Sequence, residues 1–344
     1  MITNRQKLFI SYFAAKSLFL GVGYSLSFDV CGNDTWLSFI LGSLLGLIFC
    51  YMLKKIMDHK RHRNLTDLLK EMSFTGIIVR IILILFTLVI INEILFIIQI
   101  FAKSFFLIDS NTFLIILPIV LLATYVGFKG YKLLSYVSEC IFPIAIFFTV
   151  VGCLAALSKI DLENLKPILS HTNYEMIKGI FYYFSLSAIP NLLTLDLDLE
   201  DNDLTKPYLF TTFVVTLLAV FIVGILGPFL ITIYRFPEYM VLKNIEILNF
   251  IEKVENIISI SWILDNFILL CLATCFLKRL LPEKYNNYTY LTLITTIFLI
   301  ICLVFGTDYI KDLKIYLYLP HMLCILAIPT VLILFIHSIK MKKV

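Results

Sequence analysis

Ionisable and amide side chains interrupt three long apolar stretches of the sequence: Lys16, Glu93, and the adjacent Asp265 and Asn266. An ionisable group far from water is costly, so it normally lines a pathway or meets a partner of opposite charge. A lysine ammonium could hold two helices together when charged and release them when neutral, as a bound sodium ion could. We therefore predict that Lys16 pairs with Asp265 and that these two residues and Asn266 act in coupling or gating. Glu93 is expected nearer a ligand cavity.

These ionisable residues also have plainer interpretations. Lys16 could extend along apolar surface and place its ammonium among the inner lipid headgroups. Glu93 and Asp265 could be structural acids that are hydrogen-bonded and protonated. The sequence leaves these alternatives open.

Residues that break helices occur in two of the apolar stretches. The first stretch contains Gly21-Val22-Gly23-Tyr24-Ser25, and the second contains the segment from Ser185 to Asn191 with Pro190 inside it. Glycine weakens a helix and proline removes one of its hydrogen bonds. Such interruptions can simply kink packed helices. At corresponding places in two halves of a transporter, however, they mark a ligand site at the bilayer midplane. The predicted ligand-binding residues are Gly21, Val22, Gly23, Tyr24, Ser25, Glu93, Phe184, Ser185, Ser187 and Pro190.

An amino acid would suit the chemistry of such a site. Its carboxylate would meet unpaired backbone N–H groups and the positive end of a half-helix at residues 21–25. Its ammonium would need acceptors, which could be backbone carbonyls of residues 185–190 or the Glu93 carboxylate. Tyr24 and Phe184 could wall the side-chain pocket, although most aromatic residues in this chain must simply pack.

The elements that must position these residues are transmembrane helices. The 344 residues are 60% apolar and 15% charged, with a mean hydropathy of +0.95, which excludes ordinary soluble enzymes and nucleic-acid-binding domains. Crossing the bilayer takes roughly 20 apolar residues per helix, so we predict an all-α polytopic membrane protein with about ten helices. Their expected bounds are 7–29, 34–54, 77–102, 112–128, 133–157, 175–195, 206–234, 251–277, 288–306 and 317–339.

Helix order and charge predict how these helices are arranged. The breaks lie in the first and sixth helices, and Glu93 and Asp265 lie in the third and eighth, so the pattern favours one transmembrane domain, 1–344, built from two five-helix repeats, 1–157 and 172–344. More Lys and Arg residues fall in the connections on the N-terminal side, which favours cytoplasmic positions for both termini. The acidic stretch 196–203 would then be a solvated cytoplasmic loop, a docking surface or a cation-attracting mouth.

Patterns typical of enzymes are absent from the predicted spans. They contain no nucleophile–histidine–acid arrangement and no set of metal ligands at a usual spacing. We therefore expect no catalysis, no cofactor, no metal and no nucleic-acid partner.

The sequence also resembles a known family, the B subunits of spore germinant receptors, or endospore germination permeases, of the amino acid–polyamine–organocation superfamily. Each matching motif is weak alone, but their order and spacing cover nearly the whole chain. The motifs are Thr3–Gln6, Gly32–Trp36, Gly127–Pro143 (GFKGYKLLSYVSECIFP), Leu165–Pro167 and Glu252–Phe267 (EKVENIISISWILDNF).

The resemblance implies a LeuT-type fold of five plus five helices, with helices one and six broken around a small-molecule site. It further implies a nutrient-sensing subunit in the inner membrane of a dormant spore, with an A subunit and a C subunit lipoprotein as partners. Tyr24 departs from the small or aliphatic residues of related chains, which predicts a smaller or reshaped pocket. The alternative function is a proton-coupled amino-acid permease, because a sensor and a permease need the same pocket.

Overall fold

The fold is built from α-helices joined by short turns. It is described here from a computed structural model, whose described residues are 1–60, 64–107, 111–243, 254–282 and 315–340. Twelve α-helices are named in these ranges, in chain order α1 to α12. They are α1 Asn4–Lys16, α2 Tyr24–Cys31, α3 Thr35–Lys60, α4 Leu65–Glu71, α5 Ser73–Phe105, α6 Thr112–Lys129, α7 Tyr131–Ala156, α8 Asn173–Tyr183, α9 Thr205–Ile233, α10 Pro237–Lys243, α11 Val254–Leu280 and α12 Leu319–Lys340.

Membrane-spanning character follows from the length and apolarity of these helices. Within the described part of the chain, six helical stretches could cross a bilayer: Asn4–Lys60, Ser73–Phe105, Tyr131–Lys159, Thr205–Ile233, Ile260–Leu280 and Leu319–Lys340. The first has 57 residues, about 85 Å of helix, which is far more than one crossing of a core about 30 Å thick. The helices bear out the all-helical membrane class. The predicted span 288–306 lies outside the described residues.

Helix α11 lies at the centre of the bundle and contacts α1, α5, α6 and α7, while α3 packs against α8 and α9. From Ile268 to Leu277 the side chains of α11 are buried throughout. The outer helices instead expose large apolar residues, among them Leu44, Ile81, Leu121 and Phe147. Exposed apolar belts of this kind fit a surface covered by lipid.

Local sequence fixes where two of the helices begin. Thr3 and Gln6 form a capping box at the start of α1, and Thr172 and Glu175 form another at the start of α8. Each box pairs two backbone N–H groups that would otherwise lack partners.

The acidic stretch 196–203 is an ion-paired strap across the N-terminal side of the bundle. Ile2 bridges to Leu199, Lys7 lies 3.1 Å from Asp201, and Lys54 lies 3.3 Å from Asp203. Both of these carboxylates meet basic residues, so the stretch is ion-paired and differs from a freely solvated loop, while the docking surface and the cation-attracting mouth stay predictions.

Asp196 anchors the buried end of this strap. Its carboxylate accepts a hydrogen bond from the Leu65 backbone N–H at 2.7 Å and lies 3.5 Å from both Lys60 and Arg279. Only 1% of the Asp196 side chain is exposed. This single acid therefore joins the ends of α3 and α11 to α4.

Candidate functional site

The helix predicted to break at the glycine pair does so. Between α1 and α2, residues Phe19–Gly23 form a wide π-type turn in which Leu20 has ψ 115° and Gly21 has φ 94°. Only glycine adopts this positive φ without strain. A Cβ at Gly21 would lie 3.0 Å from both Phe236 and Trp262, so the backbone also needs glycine for close packing. The break is buried and is held from two sides.

The second interruption is a change of winding. Helix α8 ends at Tyr183, a π turn covers Phe184–Ala188, and a 3-10 helix covers Ile189–Asp196 with Pro190 in its first turn. Proline fits a first turn because that position has no intrahelical donor to lose. Helix six is therefore irregular where it was predicted to be, but the backbone at its turn boundaries stays right-handed.

Aromatic side chains fill the space between the two irregular segments. The Phe19 ring centroid lies 5.1 Å from that of Phe39 and 5.0 Å from that of Tyr183. Tyr24 stacks on Phe28, and its hydroxyl donates to the Val215 carbonyl at 2.9 Å. Tyr24 thus packs in the core, as its bulk suggests, and this part of the structure is closed.

The predicted residues of helix six face their own helix or its neighbours. Ser185 donates to the Tyr182 carbonyl at 3.0 Å, and Phe184 makes an edge contact with Phe49 of α3. The Ser187 hydroxyl is buried and has no hydrogen-bond partner among the described residues.

A cavity of about 100 Å³ lies on the other side of the helix-one break. Residues of α1, α5, α7, α9, α10 and α11 line it, together with Leu20 at the break. Its described lining includes no residue of helix six and does not include Glu93. The hollow therefore adjoins the predicted helix-one break, but it is displaced away from helix six.

Lys16 and Asp265 form a buried ion pair in the wall of this cavity. The Lys16 ammonium lies 2.8 Å from the Asp265 carboxylate, and 4% and 1% of the two side chains are exposed. The Ser17 hydroxyl donates to the Asp265 backbone carbonyl at 2.8 Å. The pairing alternative is therefore confirmed, and the alternative in which Lys16 extends to the lipid headgroups is wrong.

Asn266 and Glu93 are placed differently. The Asn266 amide donates to the Trp262 carbonyl of its own helix at 3.1 Å. Glu93 is buried, and its Oε1 has no hydrogen-bond partner among the described residues. One helical turn beyond Glu93, Ile97 packs against Gly21, so Glu93 lies behind the break and outside the cavity wall.

Sequence analysis missed Glu238, an acid of α10 in the cavity wall. Both of its carboxyl oxygens are buried without a hydrogen-bond partner in the described structure. Burial raises the pKa of Glu238 to about 7, although the Gly21 amide lowers it. The only sequence signal for Glu238 is its place directly after Phe236-Pro237, in the connection between α9 and α11. Such connections are usually exposed, so a buried acid was not expected there.

The comparisons with known proteins agree with this fold. A solved structure of Mhp1, a nucleobase-cation-symport-1 family transporter in a closed conformation with bromovinylhydantoin bound, superposes with a TM-score of 0.58 at 12% identity and covers 94% of this chain and 76% of that one. At that identity the match shows the fold alone. The apolar helices and this likeness thus define an integral membrane protein with a transporter-like fold.

Sequence comparison identifies the family. The family model described as "Spore germination protein" matches residues 17–310, so the chain belongs to that family. A relative named as spore germination protein YfkT of Bacillus subtilis (strain 168) is 26% identical over 274 residues, which is 73% of this chain and 74% of the relative. The family and fold are those of permeases and not of enzymes.

Proposed function

We propose that this protein is the nutrient-sensing membrane subunit of a spore germinant receptor. It binds a small molecule, an amino acid, beside the break in helix one and signals to an A subunit and a C subunit lipoprotein in the inner membrane of the spore. The observation that carries the proposal is the buried break at Gly21, which adjoins a cavity walled by the Lys16–Asp265 pair. Peptide groups released from helical pairing are what a small polar ligand needs at membrane depth.

The proposed arrangement has ten crossings in two five-helix repeats, 1–157 and 172–344, with both termini in the cytoplasm. Helical segments of the described residues coincide with the expected crossings other than 288–306. The side that carries the N-terminus also carries Lys60, Lys129, Lys132 and Arg279 around one polar cavity. Such an excess of basic residues favours the cytoplasmic side for this face.

Signalling follows if the ligand changes the equilibrium between two conformations. Ser185, Ser187 and Pro190 are not among the described lining residues of the cavity, and a cluster of aromatic residues packs between the two irregular segments. We propose that ligand binding moves this cluster and brings helix six to the ligand, which would make the predicted helix-six residues part of the occupied site. Partner subunits would then detect the change in helix packing.

The proposal is tested in spores that lack the gene for this chain and are complemented with a tagged copy. We expect amino-acid-triggered germination to be restored, and we expect the A and C subunits to co-purify with the tagged chain from detergent-solubilised spore membranes. A spore that germinates normally without this chain, or a chain that purifies without either partner, would contradict the sensor role.

The alternative is a proton-coupled amino-acid permease, and the likeness to a symporter fold favours it. Purified protein in liposomes with an imposed proton gradient separates the two functions. Concentrative uptake of labelled amino acid by this chain alone would establish transport, whereas binding without uptake fits the sensor.

A further inference from the structure

Four buried polar atoms of three residues in the cavity wall lack hydrogen-bond partners within the described ranges. They are the two carboxyl oxygens of Glu238, Oδ1 of Asp265 and the indole Nε1–H of Trp262. A buried polar group left unpaired costs about 1–3 kcal/mol, so several around one hollow call for an explanation. A ligand that binds in the hollow would explain these atoms, because its own polar groups would complete their hydrogen bonds.

The charges of the cavity wall define what the ligand must carry. Lys16 is already paired with Asp265 at 2.8 Å, and among the described residues no cation forms an ion pair with Glu238. When Glu238 is ionised, the wall therefore has one acid in excess. A cationic group of the ligand would neutralise it, since a buried charge is tolerated when it is paired.

The position of Glu238 also fixes which end of the ligand lies at the break. Glu238 lines the same cavity as Leu20, the residue before Gly21, and the nearby Gly21 amide lowers the pKa of the Glu238 carboxyl. A ligand carboxylate at the same amide would be repelled by the Glu238 carboxylate. The ammonium of an amino acid therefore belongs at the Glu238 carboxylate, on the side of the cavity that carries the break, which reverses the orientation expected from sequence.

The opposite end of the ligand needs a hydrogen-bond donor and an apolar wall. The Trp262 Nε1–H is a donor that has no acceptor among the described residues, and the Lys16 ammonium adds positive charge to the wall. Much of the remaining lining is apolar, including Leu20, Phe101, Phe148 and Phe221. A volume of about 100 Å³ holds several water molecules, so the side chain must be small.

We propose that the cavity binds a zwitterionic α-amino acid with a small apolar side chain, whose ammonium is bound by Glu238 of α10 and whose carboxylate is bound by the indole N–H of Trp262. This inference rests on the proposed function and names its ligand class and two binding residues. Because α10 lies in the connection between α9 and α11, Glu238 ties the ligand to a segment outside the long helices.

The test measures binding to the purified full chain in detergent by isothermal titration at pH 8. The probes are L-valine, isobutylamine, which lacks the carboxylate, and isovalerate, which lacks the ammonium. The variants are E238Q and W262F, with E163Q as the matched control, because Glu163 loses the same charge on an exposed loop.

We expect E238Q to weaken the binding of L-valine and isobutylamine at least tenfold and to leave the binding of isovalerate unchanged. The reason is that the loss of a charge-assisted hydrogen bond costs about 1.5–3 kcal/mol. We expect W262F to weaken the binding of L-valine and isovalerate but not that of isobutylamine. The control E163Q should bind all three probes with the affinity of the wild type. Wild-type affinity of E238Q for L-valine would overturn the inference.

Two further outcomes keep this inference separate from the proposed function. If glucose or inosine binds the wild-type chain and no apolar amino acid does, the inference fails while a germinant-sensing role stands. If E238Q does not fold, the wild-type chain still decides, since isovalerate binding as tightly as L-valine would show that no ammonium is recognised.

Discussion

The Lys16 ammonium lies 2.8 Å from the Asp265 carboxylate and joins the last residue of α1 to the middle of α11. Helix one breaks four residues beyond this contact. The ion pair therefore fixes the N-terminal half of the broken helix to the most buried helix of the bundle. The segment beyond the break is held by different contacts, among them the hydrogen bond from the Tyr24 hydroxyl to the Val215 carbonyl.

Removing one partner of this pair should be strongly destabilising. We expect K16M to lower the free energy of unfolding by about 3–5 kcal/mol, because it leaves the Asp265 charge buried and unpaired. The double variant K16M/D265L should recover most of that loss, since an apolar pair of similar volume carries no desolvation cost. Thermal denaturation of the purified chains measures both effects.

The same double variant separates a structural role from a coupling role. If the pair couples binding to signalling, K16M/D265L spores should contain normal amounts of the protein but lose germination in response to amino acids. K166M is the matched control, because Lys166 forms an exposed pair with Glu163 worth at most about 1 kcal/mol. A stable double variant with an unchanged germination dose response would remove the pair from coupling.

Alanine at Gly21 tests the break itself. The positive φ and the three side chains near the missing Cβ should make G21A destabilising by about 2–4 kcal/mol, from backbone strain of about 1 kcal/mol and overpacking of about 1–3 kcal/mol. Ligand binding should be lost with it. Thermal unfolding and isothermal titration are the measurements.

G130A is a close control for this substitution. Gly130 has φ 88°, and a Cβ there would meet no atom of the described residues within 4 Å, so alanine at Gly130 adds backbone strain without overpacking. We expect G130A to be destabilised by about 1 kcal/mol and to bind ligand normally. Equal effects of the two variants would show that packing at the break is unimportant.

Sequence pattern predicts the parts of this fold that depend on local properties. Continuous apolar runs predict the helices, because peptide groups exposed to lipid are costly, and the glycine pair predicts the break, because glycine weakens a helix. The pairing of Lys16 with Asp265 was predictable for a related reason, since two opposite charges in neighbouring apolar helices stabilise each other. Ten crossings and the Glu93 role remain predictions.

The location of the cavity depends on tertiary packing and was not predictable. The described lining of the hollow contains no residue of helix six, and Tyr183 of that helix instead packs against Phe19 and Phe39 from two other segments of the chain. Glu238 was overlooked because its connection becomes buried only when α10 folds against α9 and α11. The ion pairs of the acidic strap likewise join residues far apart in sequence.

Neutralising Asp196 should loosen the N-terminal face of the bundle. D196N leaves Lys60 buried without its acid, and only 5% of the Lys60 side chain is exposed. We expect a loss of about 3–5 kcal/mol in the free energy of unfolding and faster hydrogen–deuterium exchange in α4, whose first amide donates to Asp196. D67N in the same helix breaks only an exposed pair with Lys70 and should cost at most about 1 kcal/mol. Equal protection of α4 in D196N and wild type would contradict this role.

Glu238 should make the stability of the unliganded protein depend on pH. Its pKa is raised from 4.5 to about 7 by burial, so between these values the folded chain holds a proton that the unfolded chain has lost. The stability contributed by the neutral acid is complete below pH 4.5 and is lost as the pH rises through 7. Between pH 5 and pH 8, the wild type should lose up to about 3 kcal/mol more than E238Q does.

Other titratable groups near Glu238 contribute equally to the pH dependence of the wild type and of E238Q, so their contributions cancel in the difference between the two. These groups are Lys16, Tyr24, Cys153, Tyr239 and Asp265. Thermal denaturation at half-unit steps of pH gives the two curves. An added primary amine such as isobutylamine should restore wild-type stability at pH 8 and leave E238Q unaffected, because only an ionised Glu238 gains from an ammonium partner. Parallel curves for wild type and E238Q would show that the Glu238 carboxyl does not titrate in the folded protein over this range.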